Sequence, residues 1–412
     1  MWQLAHRSER VGSVSQMDRR KALRLFAGLG AAGFLAGCGT GSAGEAAEAN
    51  ELVSDEPIKI GLIAPQTAGY KDIGDEIARG FNLYLEMNDQ RLGGHQVQLL
   101  VADEGETVES GKAALDGLLK QGVLALTGVV NSTVMLGIRD TVEQARIPLI
   151  GSAASPSALQ SVVYIWRTSY VNNEAGQALG RYVAENVGGK VGIIAPDYEA
   201  GRDAVEGFRT AFGTTQTRMA APVWTEYVAE PTKTFFRAKI DQVRRTNPEA
   251  IYCFYSGQAA VEFLRQLRAD GYTGQVYAPG FLTEGAVLRE LKRNEAKGVY
   301  TALNYSPDLN NAANRAFATA YRSAYEATPS GYAVASYDAA QVIDKAVRLA
   351  GANPTPQEVN LAMGKIGLVA SPRGDWQFNQ TRTPQQKWYL RQVQNDGPVL
   401  ANVLINELAT LG

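Results

Sequence analysis

The 412-residue chain has little of the two residue types on which much enzyme chemistry rests: two cysteines, Cys38 and Cys253, and two histidines, His6 and His95. That scarcity excludes a zinc site built from several Cys and His ligands, and a Ser-His-Asp triad in the folded part would have to use His95. No Gly-rich loop ending in Lys-Ser/Thr occurs, and no Gly-x-Gly-x-x-Gly opens a helix after a strand. Hydrolytic readings must lean on carboxylates such as Asp103 and Glu104, and nothing beside them would tune or orient an acid–base pair. His95 lies in Leu92-Gly93-Gly94-His95-Gln96, a turn just before a strand, and is expected to be a solvated loop residue. The expectation is a binding protein without cofactor or metal, not an enzyme.

Long apolar runs are also missing. The stretch from Leu25 to Gly37 spans about 13 residues, short of the ~20 that a membrane-spanning helix needs. It follows Met17-Asp18-Arg19-Arg20-Lys21, and the Arg19-Arg20 pair looks like a twin-arginine export signal. Leu35-Ala36-Gly37-Cys38 resembles a bacterial lipobox, in which the cysteine carries a lipid and becomes the N-terminus. Residues 1–37 are thus expected to be a cleaved signal, with Met17 as the start. Cys38 is expected to anchor the protein at the outer face of the cytoplasmic membrane, and residues 38–56, small and acidic, to form a flexible tether. Removing residues 1–37 changes the Lys/Arg and Asp/Glu totals from 40 and 42 to 34 and 40. A net charge near −6 argues against nucleic acid or an anionic membrane surface as partner.

From Pro57 onward, short β-branched runs alternate with amphipathic helical stretches, the pattern of parallel sheets covered on both faces by helices. About 355 residues exceed one ordinary core, so two lobes are expected. Ile58 to Pro65 opens the first and Gly74 to Asn88 is its first helix. Strands follow at Val97 to Ala102, Val123 to Val130 and Ile147 to Ile150. Lys190 to Asp197 echoes the opening strand and begins the second lobe, which continues through Ala250 to Tyr255, a helix from Ala259 to Ala269 and the strand Gln275 to Ala278. The chain turns at Val299 to Tyr305, and helices at Asn311 to Ala327 and Tyr332 to Ala350 rejoin the first lobe. Ligands of such open α/β sheets bind at the carboxyl ends of strands.

The order of several stretches resembles the leucine/isoleucine/valine-binding family of solute receptors. They are Ile58 to Pro65, Ala78-Arg79-Gly80 with Met87-Asn88, Leu92-Gly93-Gly94, Gly128 to Ser132, Ile147 to Ser155, Trp166-Arg167-Thr168, Asp197 to Gly201 and Tyr337-Asp338-Ala339. The resemblance implies an α/β fold of two Rossmann-like lobes joined by a three-crossover hinge. Lobe 1 would comprise 57–172 plus 301–372, and lobe 2 would comprise 173–300 plus 373–412. It also implies partners: the permease and ATPase subunits of an ABC importer.

By the same resemblance, the loops around Ser132 and around Ala153 and Ser155 hold a ligand carboxylate through hydroxyls and backbone N–H groups. Read from the residues alone, Ser132 is a helix N-cap and Ser155 caps a helix begun by Pro156. Tyr198 falls where an aromatic of the second lobe covers the ligand. Ser256 and Glu284 occupy loops that serve the ammonium group and side chain of amino-acid ligands, although Glu284 also suits the first turn of a helix. Tyr70 and Tyr170 are further candidates, and Arg167 is read as structural. Ser371 to Trp376, followed by Lys387 to Arg391, resembles the branch that binds aromatic carboxylates. The expected solute is a branched-chain or related amino acid, with benzoate-like or hydroxycinnamate-like acids as the alternative. A sensory receptor of the same fold is the alternative class.

Overall fold

The computed structural model describes residues 56–412. The expected signal with Arg19 and Arg20, Cys38, and the tether up to residue 55 lie outside the described residues.

Two sheets organise the chain. The first is built from β1 (Ile58–Ala64), β2 (Arg91–Leu92), β3 (His95–Asp103), β4 (Ala125–Gly128), β5 (Leu149–Gly151) and β6 (Ile165–Arg167), in the order β2-β3-β1-β4-β5-β6. The second comprises β7 (Val191–Pro196), β8 (Val223–Thr225), β9 (Ala250–Cys253), β10 (Gln275–Pro279), β11 (Val299–Leu303), β12 (Gln386–Asp396) and β13 (Val399–Leu411), in the order β13-β12-β11-β10-β9-β7-β8. The central strands pair in parallel, β1 with both β3 and β4, and β7 with both β8 and β9. Helices cover them on both faces, which is why β1, β4 and β7 read as nearly unbroken apolar runs.

The chain passes between the halves three times. It leaves the first after β6, through a helix, Glu174–Asn186, that packs on Glu199–Phe212. It returns after β11 to helix Gly331–Ala350, which lies along Lys71–Met87 in the first half, and crosses again before β12. These crossings meet at one atom. The carbonyl oxygen of Ser169 accepts from Asn304 Nδ2 at 2.9 Å, Gln386 Nε2 at 2.8 Å and Arg373 Nη1 at 3.1 Å. Arg373 is also ion-paired to buried Asp338 at 3.0 Å, and Asp338 in turn accepts from Ser371 and Trp376. The stretch Ser371 to Trp376 therefore braces the crossings. Arg167 does similar work, donating to the Thr381 carbonyl at 2.7 Å.

Several sequence expectations need correction. The first helix starts at Lys71, one turn before Gly74, where Lys71 and Asp75 pair at 2.6 Å. Val299 to Leu303 is a strand of the second sheet, parallel to β10 and antiparallel to β12. The C-terminal hairpin of β12 and β13 makes that sheet mixed. His95 is not solvated: Gly93 and Gly94, both at positive φ, turn β2 into β3 so that His95 pairs opposite Leu92 and shares its buried side. No helix begins at Pro156, so Ser155 caps nothing. Asn131 is the N-cap of helix Ser132–Ala145, accepting from Thr133 N at 2.8 Å, and Ser132 is that helix's first residue.

Candidate functional site

The parallel strands of both sheets point their carboxyl ends at a common seam. From the first half come Tyr70 after β1, Asn131 and Ser132 after β4, Ser152 to Ser155 after β5, and Tyr170 after β6. Tyr332, in the first turn of helix Gly331–Ala350, joins them. From the second half come Tyr198 after β7, Tyr227 after β8, Phe254 to Ser256 after β9, and Phe281 to Glu284 after β10.

The rings form a continuous chain across the seam. Tyr70 stacks on Tyr227 at 6.2 Å between centroids, Tyr227 meets Tyr198 at 4.4 Å, and Tyr198 meets Phe254 at 6.2 Å. Phe254 reaches Phe281 at 6.0 Å, and Phe281 contacts both Tyr170 at 5.2 Å and Tyr332 at 5.8 Å. Ala153 is buried in the same cluster. Seven aromatic rings, most of them tilted against one another, with a small residue among them make a buried apolar surface that carries five phenol hydroxyls. Burial pushes the Tyr70 hydroxyl above its usual range, opposed by hydrogen bonds to Tyr227 and Ser256. These hydroxyls are neutral donors and acceptors.

Beside the rings lies a polar arc. Gly128 at φ 104 and Val129 at φ 64 end β4 in an abrupt bend, and a Cβ at Gly128 would lie 2.0 Å from the Ile63 carbonyl. The bend presents the N–H groups of Val130 and Asn131 to the Glu104 carboxylate, each at 2.7 Å. Burial pushes Glu104 up to about 8 against those two bonds. Asp103 turns the other way, outward, to the Gln66 N–H and the Thr67 hydroxyl. The two carboxylates thus brace different loops and do not converge as an acid–base pair.

Asn172 ties the arc together, donating to Ser132 Oγ at 3.0 Å and accepting from Ser155 N at 3.3 Å. It also donates to Asp203 of the second half at 3.2 Å. The hydroxyls of Ser152, Ser155 and Ser169 are buried without a hydrogen-bond partner among the described residues. Unpartnered buried donors at the carboxyl ends of strands are groups that a ligand oxygen can satisfy.

Glu284 is already committed. Its Oε1 accepts from Arg391 Nη1 at 2.6 Å in a pair with both side chains buried, and its Oε2 accepts from Gly331 N at 2.6 Å. It follows a short 3-10 turn, Gly280–Thr283, and precedes the helix Val287–Glu290, so it is not in a helix's first turn.

All eight candidates therefore line or abut one seam: Ser132 and Ser155 through Asn172, Tyr70 with Ser256 and Tyr198 through Tyr227, Ala153 in the apolar cluster, and Tyr170 and Glu284 beside Phe281 and Tyr332. Sequence reasoning missed Tyr227, Asn172, Asp203 and Tyr332. Tyr227 follows a three-residue strand too short to register a period, and Asn172 declares itself only through its spatial partners. Among the described residues no cluster of His, Cys, Asp and Glu could hold a metal ion, and no helix is long and apolar enough to cross a membrane.

Residues 57–398 match the family model described as periplasmic binding protein. The Leu/Ile/Val-binding protein homolog 6 of Brucella melitensis is 25% identical over 347 residues, covering 82% of this chain and 87% of that protein. A solute-binding protein of an R. palustris ABC transporter, solved with benzoate, superposes with a TM-score of 0.80 at 26% identity, covering 86% of this chain and 97% of that one. Another, from Rhodopseudomonas palustris BisB5 with 3,4-dihydroxybenzoic acid, gives 0.79 at 25% identity over 86% and 98%. The branched-chain amino acid transporter substrate-binding protein of Streptococcus pneumoniae, solved with isoleucine, shares the fold with a TM-score of 0.73 at 19% identity, over 85% and 100%.

Proposed function

The chain belongs to the periplasmic binding protein family, and from that premise we propose that it is the extracytoplasmic solute-binding component of an ABC importer, capturing a small aromatic carboxylate between its two halves. The observation that carries the choice of solute is the engagement of Glu284 by Arg391 and by the Gly331 N–H. An α-amino acid needs a carboxylate for its ammonium group, and this one is already neutralised by a buried guanidinium. Of the other acids near the seam, Asp203 is engaged by Ser157 N and Asn172, Glu104 by the Val130 and Asn131 N–H groups, and Glu226 lies exposed at the edge of the recess beside Tyr198 and Tyr227. What the seam offers freely is ring surface, from Tyr70 through Phe281 to Tyr332, and the unpartnered hydroxyls of Ser152, Ser155 and Ser169. A planar ring with an anionic end fits that division. The two R. palustris proteins solved with benzoate-type acids support the same reading.

Capture follows from geometry. A ligand touching the rings of both halves stabilises the closed form in proportion to its differential affinity for it, and an importer then receives the solute. The reading calls for binding, with no catalytic step, and extends to a lipid on Cys38 as the only membrane attachment. A branched-chain amino acid is the second reading, favoured by the name of the Brucella melitensis relative.

Thermal unfolding against a panel of amino acids and aromatic acids tests the choice, because a ligand at about 100 Kd stabilises by roughly 2.7 kcal/mol. Shifts with benzoates or hydroxycinnamates and none with leucine, isoleucine or valine are expected. The reverse pattern would overturn the aromatic reading, and no shift with either class would place the solute elsewhere.

A further inference from the structure

At the edge of the seam, away from the ring chain, two carboxylates from opposite halves meet at the N-terminus of one helix. Glu76 belongs to helix Lys71–Met87 of the first half, and its Oε2 accepts a hydrogen bond from the hydroxyl of Ser330. Ser330 is the N-cap of helix Gly331–Ala350, also of the first half. Glu284 reaches the same helix end from the second half, accepting from Gly331 N at 2.6 Å while held from behind by Arg391 at 2.6 Å. Arg391 is fixed in turn by the Tyr305 carbonyl and the Thr301 hydroxyl. The turn after Glu284 lies directly on Glu76: a Cβ at Gly285 would stand 2.7 Å from Glu76 Oε1. Glu76 is 6% exposed, and Glu284 is equally buried.

We propose that this junction is a proton-coupled latch, in which Glu284 docks on the N-terminus of helix Gly331–Ala350 when the halves close and Glu76 takes up one proton to permit it. The inference rests on the reading that the halves close on a solute, and it adds a control on that closure. Glu284 brings its own counter-charge, Arg391, and the helix end supplies an N–H for its second oxygen. Glu76 has no such ion pair among the described residues. On closing, it loses water to the Glu284-Gly285 turn and gains a carboxylate neighbour, and both changes favour its neutral form.

Charged and titratable groups from both halves face Glu76. Glu284 opposes its ionisation, Arg289 of helix Val287–Glu290 and Arg79 of its own helix favour it, and Tyr321 and Tyr332 are neutral phenols. Asp72 and Glu290, which line the same recess, add no positive charge. Burial dominates, and the closed form holds Glu76 at about 7. Separating the halves removes Glu284 and Gly285 and returns the group toward an ordinary glutamate value of about 4.3. The closed form therefore binds more protons than the open form between those two values. Closure is favoured at the acid end of that window and weakens, by up to about tenfold per pH unit, as pH rises through it. Above about 7 the penalty is complete and levels off.

Small-angle scattering of the ligand-free protein from about pH 5 to about pH 9 reads this without any knowledge of the solute. The expected result is a radius of gyration that falls as pH drops through the window. In Glu76→Gln, which keeps an oxygen for the Ser330 hydroxyl, it should be compact and pH-independent. A wild-type radius that does not change with pH, or a Glu76→Gln protein that follows the wild-type curve, would overturn the latch. Ser330→Ala supplies a second variant: losing the bond that favours ionised Glu76 should move the transition to higher pH, and an unmoved transition counts equally against the proposal. Should no solute bind while the radius still responds to pH and to Glu76→Gln, the latch stands and the solute-binding reading falls.

Discussion

Asn304 donates its side-chain N–H to the carbonyl of Ser169 at 2.9 Å, and with the same amide nitrogen it reaches Gln386 Oε1 at 2.7 Å. One side chain from the second crossing thus binds both the first and the third. Replacing it with alanine removes both bonds, leaving the Ser169 carbonyl two donors and Gln386 an unmet oxygen in a buried site. Asn304→Ala should cost about 1–3 kcal/mol in urea unfolding, the usual penalty for stranded buried polar groups. An unchanged midpoint would mean that the crossings do not depend on this junction.

The Tyr227 hydroxyl accepts from Asn131 Nδ2 at 3.2 Å across the seam. The ring is packed independently, against Tyr70 and Tyr198. Tyr227→Phe keeps the ring and deletes the bridging bond together with the hydrogen bond to Tyr70, so solute Kd should weaken by about tenfold, and Tyr227→Ala by considerably more. Calorimetric titration of both variants checks the order. Equal losses would assign the residue's role to the hydroxyl alone.

Ser155 separates binding from folding. Its hydroxyl is buried without a partner among the described residues, so Ser155→Ala removes no internal hydrogen bond and relieves a buried polar group. The ligand-free protein should melt at the wild-type temperature or slightly above. If the hydroxyl receives the solute's carboxylate, affinity should fall by about tenfold or more, the value of a hydrogen bond to a charged group. Lowered melting with unchanged affinity would make Ser155 structural.

How much of this could be read beforehand depended on the range of the interactions. The strands β1, β4, β5, β7, β9 and β10 are legible because each is a largely buried apolar run between turn signals, whereas β8 is only three residues long and β13 is half exposed along its length; Tyr198, two residues after β7, is singled out by the family resemblance. Residues whose role is set by distant partners were not legible. Glu284 reads as a free acid until Arg391, 107 positions later, is folded against it. His95 reads as a loop residue because Gly-Gly signals a turn, while the burial of its side chain is decided by the pairing of β2 with β3. Ser371 to Trp376 was noticed as a motif, yet its work, bracing the crossings through Asp338, is a tertiary fact.

Cys38 is expected to carry the anchor. Cells expressing the chain should incorporate labelled fatty acid into it and retain it in the membrane fraction, and Cys38→Ser should abolish both, since the apolar run before it is too short to span a bilayer. Membrane retention of Cys38→Ser would require another attachment.

Three buried glutamates contribute to the pH dependence of stability, as do Asp203 and Asp338, whose carboxyls burial also raises. Burial raises Glu104 to about 8, and Glu76 and Glu174 each to about 7. In the unfolded chain the same groups titrate near 4.3. Between those values the folded protein holds more protons than the unfolded one, so each group makes unfolding easier as pH rises, by up to about 1.4 kcal/mol per pH unit. The loss begins above the unfolded value and is complete once pH passes the folded one. This is opposite in sign to a salt-bridged carboxylate, whose stabilisation is lost as pH falls. Melting temperatures should therefore decline from about pH 5 to about pH 8 and then level. In Glu104→Gln the amide can accept from only one of the Val130 and Asn131 N–H groups, so the variant should be less stable at the acid end. Its decline across the window should nonetheless be shallower, because one of the titrating groups is gone. A wild-type melting temperature that climbs from pH 5 to pH 8, or a variant that declines as steeply as wild type, would show that Glu104 is ionised in its buried site and that its two N–H donors outweigh the lost hydration.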